Sequence, residues 1–249
     1  MNLHPTRSDR IRSFGKAASD YTVGRPSYPP EAVRWAAGGC DSALDIAAGT
    51  GKLTAILSRV VEDVVALEPQ HQMVLRLRGE LPKVPVAEAV AEALPVADAS
   101  VDLVTVAQAF HWFDEERVAP EIARVLRPDG GLALLWNVRD QRVSWVAEIN
   151  VIAGSDNSQA TRARLRKLRG FSPFEVRKFE MVQEMDRHSL VALVRSRSSV
   201  ASLPAQARDR VVTRVERLCD EHPDLAGRPR FSMPYVTEVY RAARLSQSS

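Results

Sequence analysis

The sequence contains little cysteine and few aromatic residues, and it lacks any long hydrophobic run. Its two cysteines, Cys40 and Cys219, lie far apart and form no CxxC or Cys/His cluster, which argues against a metal site and against a disulfide framework. No apolar stretch is long enough to cross a bilayer, and the polar residues 1–21 contain no apolar signal-peptide core. We therefore expect a cytoplasmic protein with no metal and no membrane partner.

Charge of one sign does not dominate either. The 34 Lys and Arg residues nearly balance 31 Asp and Glu residues, for a net charge of +3, and lysine is scarce relative to arginine. The densest basic stretch is TRARLRKLRG, residues 161–170. It could bind nucleic acid or an acidic substrate, but no aromatic side chains are interleaved with it for stacking on bases. A solvated helix face is the favoured interpretation, so we do not expect a nucleic-acid partner.

Strand and helix patterns alternate between about residues 41 and 136. Apolar, β-branched runs occupy residues 42–46, 63–68, 101–106 and 131–136, with a weaker one at 83–89. The segments between them place apolar residues at helical spacing, as at Val118, Ile122, Val125 and Leu126. Continuous apolar strands separated by amphipathic helices are typical of a parallel sheet covered on both faces. The predicted fold class is therefore α/β, doubly wound.

The two ends of the chain differ from this middle part. Pro30 suits the first turn of a helix that Gly38 and Gly39 would end. After Trp136, residues 144–154 and those following Pro204 read as helices, and residues 175–186 and 237–245 read as strands. We expect a single domain over 1–249, with an N-terminal helical cap at 1–40, a ligand-binding core at 41–137, and a substrate lid with the final strands at 138–249.

The stretch ALDIAAGTGKLT, residues 43–54, places Asp45 near the end of the first strand, before a turn of small residues. Ligands of such sheets bind outside the carboxyl ends of the strands. The pyrophosphate of a dinucleotide would meet the Asp45 carboxylate, and the GxGxxG spacing is absent. A P-loop is excluded because its spacing fails around Gly51. A ligand with a positive end and no phosphate, such as S-adenosylmethionine, suits this turn better, with Asp45 accepting from its ammonium.

The second strand ends in another acid, Glu68, which is positioned to accept both hydroxyls of a ribose. The alternative for Glu68 alone is a solvated carboxylate at a strand end. Its pairing with Asp45 at the end of the neighbouring strand favours the ligand-binding interpretation.

Further motifs make the sequence resemble a known family. With the Asp45–Gly51 turn and Glu68, the stretches AEALPVADASVDLV and RVLRPDGG resemble a class I S-adenosylmethionine-dependent methyltransferase. The stretches AQAFHWFD, LLWNVRD and DYTVGRPSYP are similar to the trans-aconitate-methyltransferase-like branch, within the methyltransferase type 11 family. The resemblance spans nearly the whole chain. It implies a Rossmann-like sheet of about seven strands, the last antiparallel, a helical C-terminal lid, and a small-molecule methyl acceptor bound by a monomer or homodimer.

The resemblance also implies a cofactor site. Asp45, Gly49 and Gly51 would line the methionine part of S-adenosylmethionine, with Ala47 and Leu53 in the same site. The other implied positions are Glu68 at the ribose with Met73 near it, Ala91, Glu92 and Ala93 around the adenine, and Ala107, Gln108 and Phe110 toward the methyl group. Two departures stand out: Ala47 replaces the first glycine of the usual turn, and Val90 replaces an acid often found there.

For the acceptor, His111 is the candidate general base, with an ordinary pKa near 6.5 that suits neutral pH. The alternative is a structural histidine within the FHWF loop. Residues at the same edge would bind the substrate: Tyr21, Arg25, Tyr28, Asn137 and Arg139. An acidic substrate would favour an arginine clamp formed by Arg25 or Arg139. Two other functions stay open, a protein that binds S-adenosylmethionine without turnover and a nucleic-acid methyltransferase.

Overall fold

The computed structural model describes residues 23–154, 158–165 and 168–245 of the chain. Its strands are β1 (Ser42–Ile46), β2 (Asp63–Leu67), β3 (Val86–Ala87), β4 (Val101–Ala107), β5 (Leu126–Arg139), β6 (Glu175–Met185) and β7 (Phe231–Ala243). Its helices are α1 (Pro30–Ala37), α2 (Thr54–Leu57), α3 (His71–Glu80), α4 (Glu115–Val125), α5 (Ser144–Ala153), α6 (Ser158–Arg164), α7 (Arg187–Arg195), α8 (Ser198–Ala201) and α9 (Ala205–Glu221), with a 3-10 turn at Phe110–Trp112.

The seven strands form one sheet in the order β3-β2-β1-β4-β5-β7-β6. Strands β1 to β5 pair in parallel. The final strand β7 runs antiparallel to β5. Gly130 accepts from the amide of Arg244, and Asn137, seven residues later in β5, accepts from Thr237, seven residues earlier in β7. The predicted doubly wound α/β class, with about seven strands and an antiparallel last strand, is confirmed.

Strand β5 begins earlier than its sequence pattern predicted. The expected strand started at Gly131, after a helix that included Leu126. In the structure α4 ends at Val125, and Leu126 already pairs with Val101, while Gly131 pairs with Leu103. The intervening residues 127–130 therefore form an irregular, bulged part of the ladder. Leu126 thus ends α4, with its amide donating to the Ile122 carbonyl, and also pairs with β4, which its apolar side chain alone could not reveal.

The final strand is also longer than expected. Residues 237–245 were predicted, whereas β7 begins at Phe231. Phe231, Met233 and Tyr235 are buried and alternate with more exposed neighbours, which is the period-2 pattern of a strand. Pro234 is tolerated here because it needs only its carbonyl, which accepts from the amide of Asp140 at 3.0 Å. The strand predicted at 175–186 is confirmed as β6, and the weak one at 83–89 is reduced to Val86–Ala87.

The chain divides into two compact units that are each discontinuous in sequence. The core unit takes its described residues from 27–137, 157–179 and 237–249, and the accessory unit from 1–26, 138–156 and 180–236. One apolar cluster of the core unit packs α1 and α2 against β1, β4 and β5, and includes Tyr28, Leu53 and Val239. Trp136, at the end of the apolar run at 131–136, is fully buried. The expected single domain with a lid at 138–249 stays a prediction.

The accessory unit has an apolar cluster of its own. It joins α5, α7 and α9 to the strand residues Met185, Met233 and Tyr235. The long helix α9, predicted after Pro204, buries residues on one face, including Val212, Val215 and Leu218. Helix α7 begins with a capping box between Asp186 and Ser189, which satisfies amide groups at its first turn.

Within the described residues, none of the helices has the length and hydropathy needed to span a bilayer. In the same ranges, no group of three or more His, Cys, Asp or Glu side chains is placed to hold a metal ion. Cys40 is half-buried and Cys219 is buried, and both are free thiols.

The bulge in β5 gives a testable stability difference. A Cβ added to Gly130 would lie 3.0 Å from the carbonyl oxygens of Arg127 and Asp102, so we expect Gly130→Ala to lower the free energy of unfolding by about 1–3 kcal/mol. Gly79 in α3 has open space around it, and Gly79→Ala should gain up to about 1 kcal/mol. Urea unfolding of both variants checks this, and a Gly130→Ala protein as stable as wild type would contradict the bulged geometry.

Candidate functional site

Four parallel strands end at one edge of the sheet. Ile46 at the end of β1 pairs with Leu67 of β2 and with Val106 of β4, and Leu67 pairs with Ala87 of β3. The chain leaves β1 for β2 on one side, whereas β4 lies on the other, so the sheet has its topological switch point beside β1. Ligands of doubly wound sheets bind in the crevice at this point, and the turn after β1 lies there.

That turn is built from residues with left-handed backbone conformations. Ala47, Gly49 and Gly51 have φ angles of 54°, 60° and 84°, and the amide of Gly51 donates to the carbonyl of Ala48 at 2.9 Å. A left-handed residue with a Cβ costs roughly 1–2 kcal/mol, so Ala47 is strained where glycine would not be. Alternating left-handed positions explain why the turn consists of small residues.

The Glu68 carboxylate holds this turn. Its side chain is buried, and its two oxygens accept from the amides of Gly49 and Gln70, each at 2.9 Å. Burial raises the pKa of Glu68 to about 7, against the lowering effect of the two amide hydrogen bonds, and the nearby charges of Asp45 and Glu88 raise it further. Glu68 therefore joins the end of β2 to the glycine turn, and it changes charge near neutral pH.

Asp45 is the more deeply buried of the two acids. Its oxygens accept from the hydroxyls of Thr54 at 2.6 Å and Thr105 at 2.9 Å. Burial raises the pKa of Asp45 to about 6, although both hydroxyl bonds lower it. Asp45 thus ties β1 to α2 and β4. A carboxylate offers about four acceptor positions, so these two bonds leave capacity for a further donor.

Thr50 carries a polar atom that lacks a partner. Its side chain is buried in the turn between Gly49 and Gly51, and its hydroxyl oxygen has no hydrogen bond within the part of the chain that the structure describes. A buried hydroxyl without a partner is unfavourable by about 1–3 kcal/mol. A ligand in the crevice could satisfy it, so the polar groups of the turn fit a bound nucleoside.

Three predicted cofactor residues lie in the interior. Leu53 and Met73 are each 2% exposed, and Phe110 is fully buried, edge-on to Phe113. Their side chains support the walls of this edge through packing. The structure brings them to the predicted region, but their side chains are not accessible to a ligand.

The segment after β3 carries the three residues predicted around adenine. Ala91 is buried and Ala93 is exposed. The carboxylate of Glu92 accepts from the amide of Asp114 at 3.3 Å, at the N-terminus of α4. Ala89 donates to the carbonyl of Glu68 at 3.3 Å, which brings this segment beside the acid at the end of β2.

The end of β4 leads into the segment with the candidate base. Ala107 is half-buried, and Gln108 has a φ of 57° while its amide donates to the carbonyl of Leu135 at 2.9 Å. His111 lies in the following 3-10 turn, half-buried, with its ring centroid 4.8 Å from that of Trp112. This arrangement places His111 beyond the carboxyl end of β4.

The predicted substrate residues separate into two groups. In the core unit, Tyr28 is buried in the apolar cluster, and the Asn137 amide donates to Ser27 and accepts from Thr237, at 2.8 and 2.6 Å. Those bonds give Asn137 a structural role. The other two residues, Arg25 and Arg139, belong to the accessory unit, and Tyr21 lies outside the described residues.

Sequence reasoning missed the threonines that bond Asp45. Thr105 lies directly opposite Asp45 in the β1–β4 ladder, as a fully buried hydroxyl within an apolar strand. That isolated polar residue was the available signal, because a buried hydroxyl needs a partner.

Comparisons with known proteins agree with this geometry. Residues 44–134 match the family described as a methyltransferase domain. An uncharacterized methyltransferase of Mycobacterium tuberculosis is 43% identical over 238 residues, covering 95% of this chain and 98% of the relative. An uncharacterized methyltransferase of Schizosaccharomyces pombe is 29% identical over 245 residues, covering 94% and 98%.

A solved structure supports the fold independently. A protein of Anaeromyxobacter dehalogenans, assigned as a type II methyltransferase, aligns with a TM-score of 0.66 and 24% identity, covering 88% of this chain and 97% of that one. The chain belongs to the methyltransferase family. It is an enzyme of the class I type that the motifs around Asp45 and Glu68 resembled.

The hydrogen bond from Thr105 to Asp45 provides a test that depends on pH. Because burial raises the pKa of Asp45 from 3.8 to about 6, the folded state keeps this proton to a higher pH than the unfolded state, and stability from this group is lost as pH rises through about 6. Thr105→Val removes a bond that favours the ionised form. We expect it to destabilise by about 1–3 kcal/mol at pH 8 and by clearly less at pH 5.

Thr237→Val is the matched control for that variant. Thr237 is also a fully buried strand threonine, but it donates to the neutral amide of Asn137, so its loss should be independent of pH over this range. Chemical unfolding at pH 5 and pH 8 measures both. Equal pH dependence in the two variants would show that the Thr105 bond does not act on an ionising Asp45.

Proposed function

We propose that this enzyme transfers the methyl group of S-adenosylmethionine to a small molecule carrying a carboxylate, in the manner of the trans-aconitate-methyltransferase-like branch. The single observation that carries the cofactor assignment is the buried Glu68 carboxylate, bound by the Gly49 amide of the left-handed turn. A diol is a good partner for such an acid, so the ribose of a nucleoside fits this acceptor.

The residues of the turn then have distinct roles toward the cofactor. Glu68 accepts from the ribose hydroxyls, the spare acceptor capacity of Asp45 serves the ammonium, and Thr50 gains the partner that its hydroxyl lacks. When bound, S-adenosylmethionine supplies an electrophilic methyl group on a sulfonium. The segment Ala91–Ala93 is assigned to the adenine, and Ala107 with Gln108 to the side from which the acceptor approaches.

A carboxylate acceptor needs little acid–base chemistry from the chain. It is already ionised at neutral pH, so the enzyme has mainly to exclude water and align the attacking oxygen, and orientation can supply most of the rate. Arg25 and Arg139 are assigned to the acid, since guanidinium groups bind carboxylates in a bidentate manner. His111 is assigned to the acceptor side, where it can take a proton from an acceptor that has one to lose.

Equilibrium binding and turnover test this proposal together. Isothermal titration calorimetry with S-adenosylhomocysteine should show saturable binding to wild type and binding at least tenfold weaker to Glu68→Gln. Asp102→Asn is the control, because Asp102 lies at the opposite end of β4, bonded to Ser42 and Arg127. Release of S-adenosylhomocysteine from S-adenosylmethionine should then depend on an organic acid. Binding without turnover on any acid, or turnover only on RNA or DNA, would overturn the acceptor assignment.

The pKa of Glu68 makes a further prediction about ligand affinity. A carboxylate that accepts two hydroxyls must be ionised, and burial raises the pKa of Glu68 to about 7 in the free protein. Ligand binding therefore requires loss of a proton below about pH 7, and we expect the affinity for S-adenosylhomocysteine to fall about tenfold from pH 8 to pH 6. The affinity of Glu68→Gln should change much less over the same interval. A wild-type affinity that does not change with pH would contradict this role of Glu68.

A further inference from the structure

The accessory unit contains buried polar atoms that lack hydrogen-bond partners. The Tyr235 hydroxyl and the Gln183 side-chain oxygen are both inaccessible, and neither has a partner within the described ranges of the chain. The Tyr235 side chain as a whole is only 4% exposed and sits in the apolar cluster. Buried polar groups are bonded in the great majority of cases, so each of these atoms needs an explanation.

Arg139 at the end of β5 lies opposite Tyr235 of the neighbouring strand β7. The Asp140 amide donates to the Pro234 carbonyl at 3.0 Å, and in an antiparallel ladder this bond places residue 139 directly opposite residue 235. Opposed residues of this kind form a non-hydrogen-bonded pair, whose side chains are the closest in a sheet and lie on the same face. The Arg139 side chain is therefore a direct neighbour of the Tyr235 ring.

Arg25 supplies a second positive charge in the same unit. Its guanidinium donates to the Ser196 hydroxyl at 3.0 Å and to the Ser196 carbonyl at 3.3 Å, so it is anchored at the end of α7. Gly24 before it packs so tightly that an added Cβ would lie 2.1 Å from the Leu193 nitrogen. Burial raises the pKa of Tyr235 to about 12, while the positive charges of Arg139 and Arg25 oppose this rise.

Gln183 shares the Tyr235 face of the sheet. In β6 it lies between Met181 and Met185 on the same face of the strand. Met185 belongs to the apolar cluster that contains Tyr235, and Met181 packs against that cluster. Its amide nitrogen donates to the Gly24 carbonyl at 3.2 Å, which fixes the side chain and leaves the oxygen as an unused acceptor. One face of the accessory unit thus combines an unused hydroxyl, an unused acceptor and two guanidinium groups.

We propose that Tyr235 is a substrate-binding residue, which donates its hydroxyl to the carboxylate of the methyl acceptor between Arg139 and Arg25, and that Gln183 accepts from a hydroxyl on the same acid. This inference rests on the proposed function for the identity of the ligand as a methyl acceptor. The chemical class it names is a small hydroxy acid. The negative carboxylate complements the two guanidinium groups and accepts from the Tyr235 hydroxyl. The hydroxyl of the acid supplies the one donor that the Gln183 oxygen needs.

Two variants that each remove one polar group test the proposal. Tyr235→Phe keeps the ring in the apolar cluster, and Gln183→Met removes the acceptor. The probes are malate, succinate (which lacks the malate hydroxyl), uncharged succinamide and inorganic phosphate, each titrated calorimetrically against the full chain without cofactor. Wild type should bind malate more tightly than succinate and should not bind succinamide.

The expected changes differ between the variants. Tyr235→Phe should weaken malate and succinate alike by about tenfold or more, because a hydrogen bond to a charged group is lost. Its melting temperature should stay equal or rise, because an unpartnered hydroxyl has been removed. Gln183→Met should abolish the preference for malate over succinate. Tyr240→Phe is the control, since the Tyr240 hydroxyl already donates to Glu238 at 3.1 Å, and it should leave the affinity for both acids unchanged.

Several results would overturn the inference. A Tyr235→Phe protein that melts lower and binds both acids as wild type does would show a purely structural tyrosine. Equal binding of all anions including phosphate, or no binding of either acid to wild type, would also overturn it. Binding of S-adenosylhomocysteine, measured separately on the same proteins, distinguishes these failures from a failure of the proposed function.

Discussion

The fold of the candidate site depends on the Glu68 carboxylate. By accepting from the amides of Gly49 and Gln70, one buried side chain holds the turn after β1 against the end of β2. The amides can be satisfied in this way only if the turn passes close to the acid, and left-handed conformations at 47, 49 and 51 make that approach. The small residues of the turn and the burial of the acid follow from this contact, whereas the raised pKa of Glu68 comes from its burial and is opposed by the two amide hydrogen bonds.

Asp45 extends the same principle into the interior. It is bonded by two threonine hydroxyls instead of by cations, so the centre of the site contains buried acids whose charge is stabilised mainly by neutral dipoles. Such an arrangement stays sensitive to pH and favours a ligand that brings donors of its own. The accessory unit shows the complementary pattern, in which guanidinium groups and an unused tyrosine hydroxyl favour a ligand that brings acceptors.

Much of this could be predicted from residue patterns, and the exceptions have physical reasons. The parallel strands and the two acids follow from apolar runs that end in a carboxylate, because burial and strand ends leave a direct imprint on composition. The start of β5 at Leu126 could not be predicted, since it depends on a backbone bond across the ladder. The interior positions of Leu53, Met73 and Phe110 depend on helix orientation. Tyr235 lay outside the predicted strand at 237–245, and its unsatisfied hydroxyl is visible only once its neighbours are placed.

The most direct test of this account is the ionisation of Glu68 itself. A pH titration of the protein labelled with ¹³C at the glutamate side-chain carboxyls, assigned with Glu68→Gln, measures this pKa with and without S-adenosylhomocysteine. The account predicts a value of about 7 in the free protein and a clear decrease when the ligand is bound, because the ribose hydroxyls stabilise the ionised form. A pKa near the ordinary 4.5 in the free protein, or one that the ligand leaves unchanged, would contradict the central role given to this carboxylate.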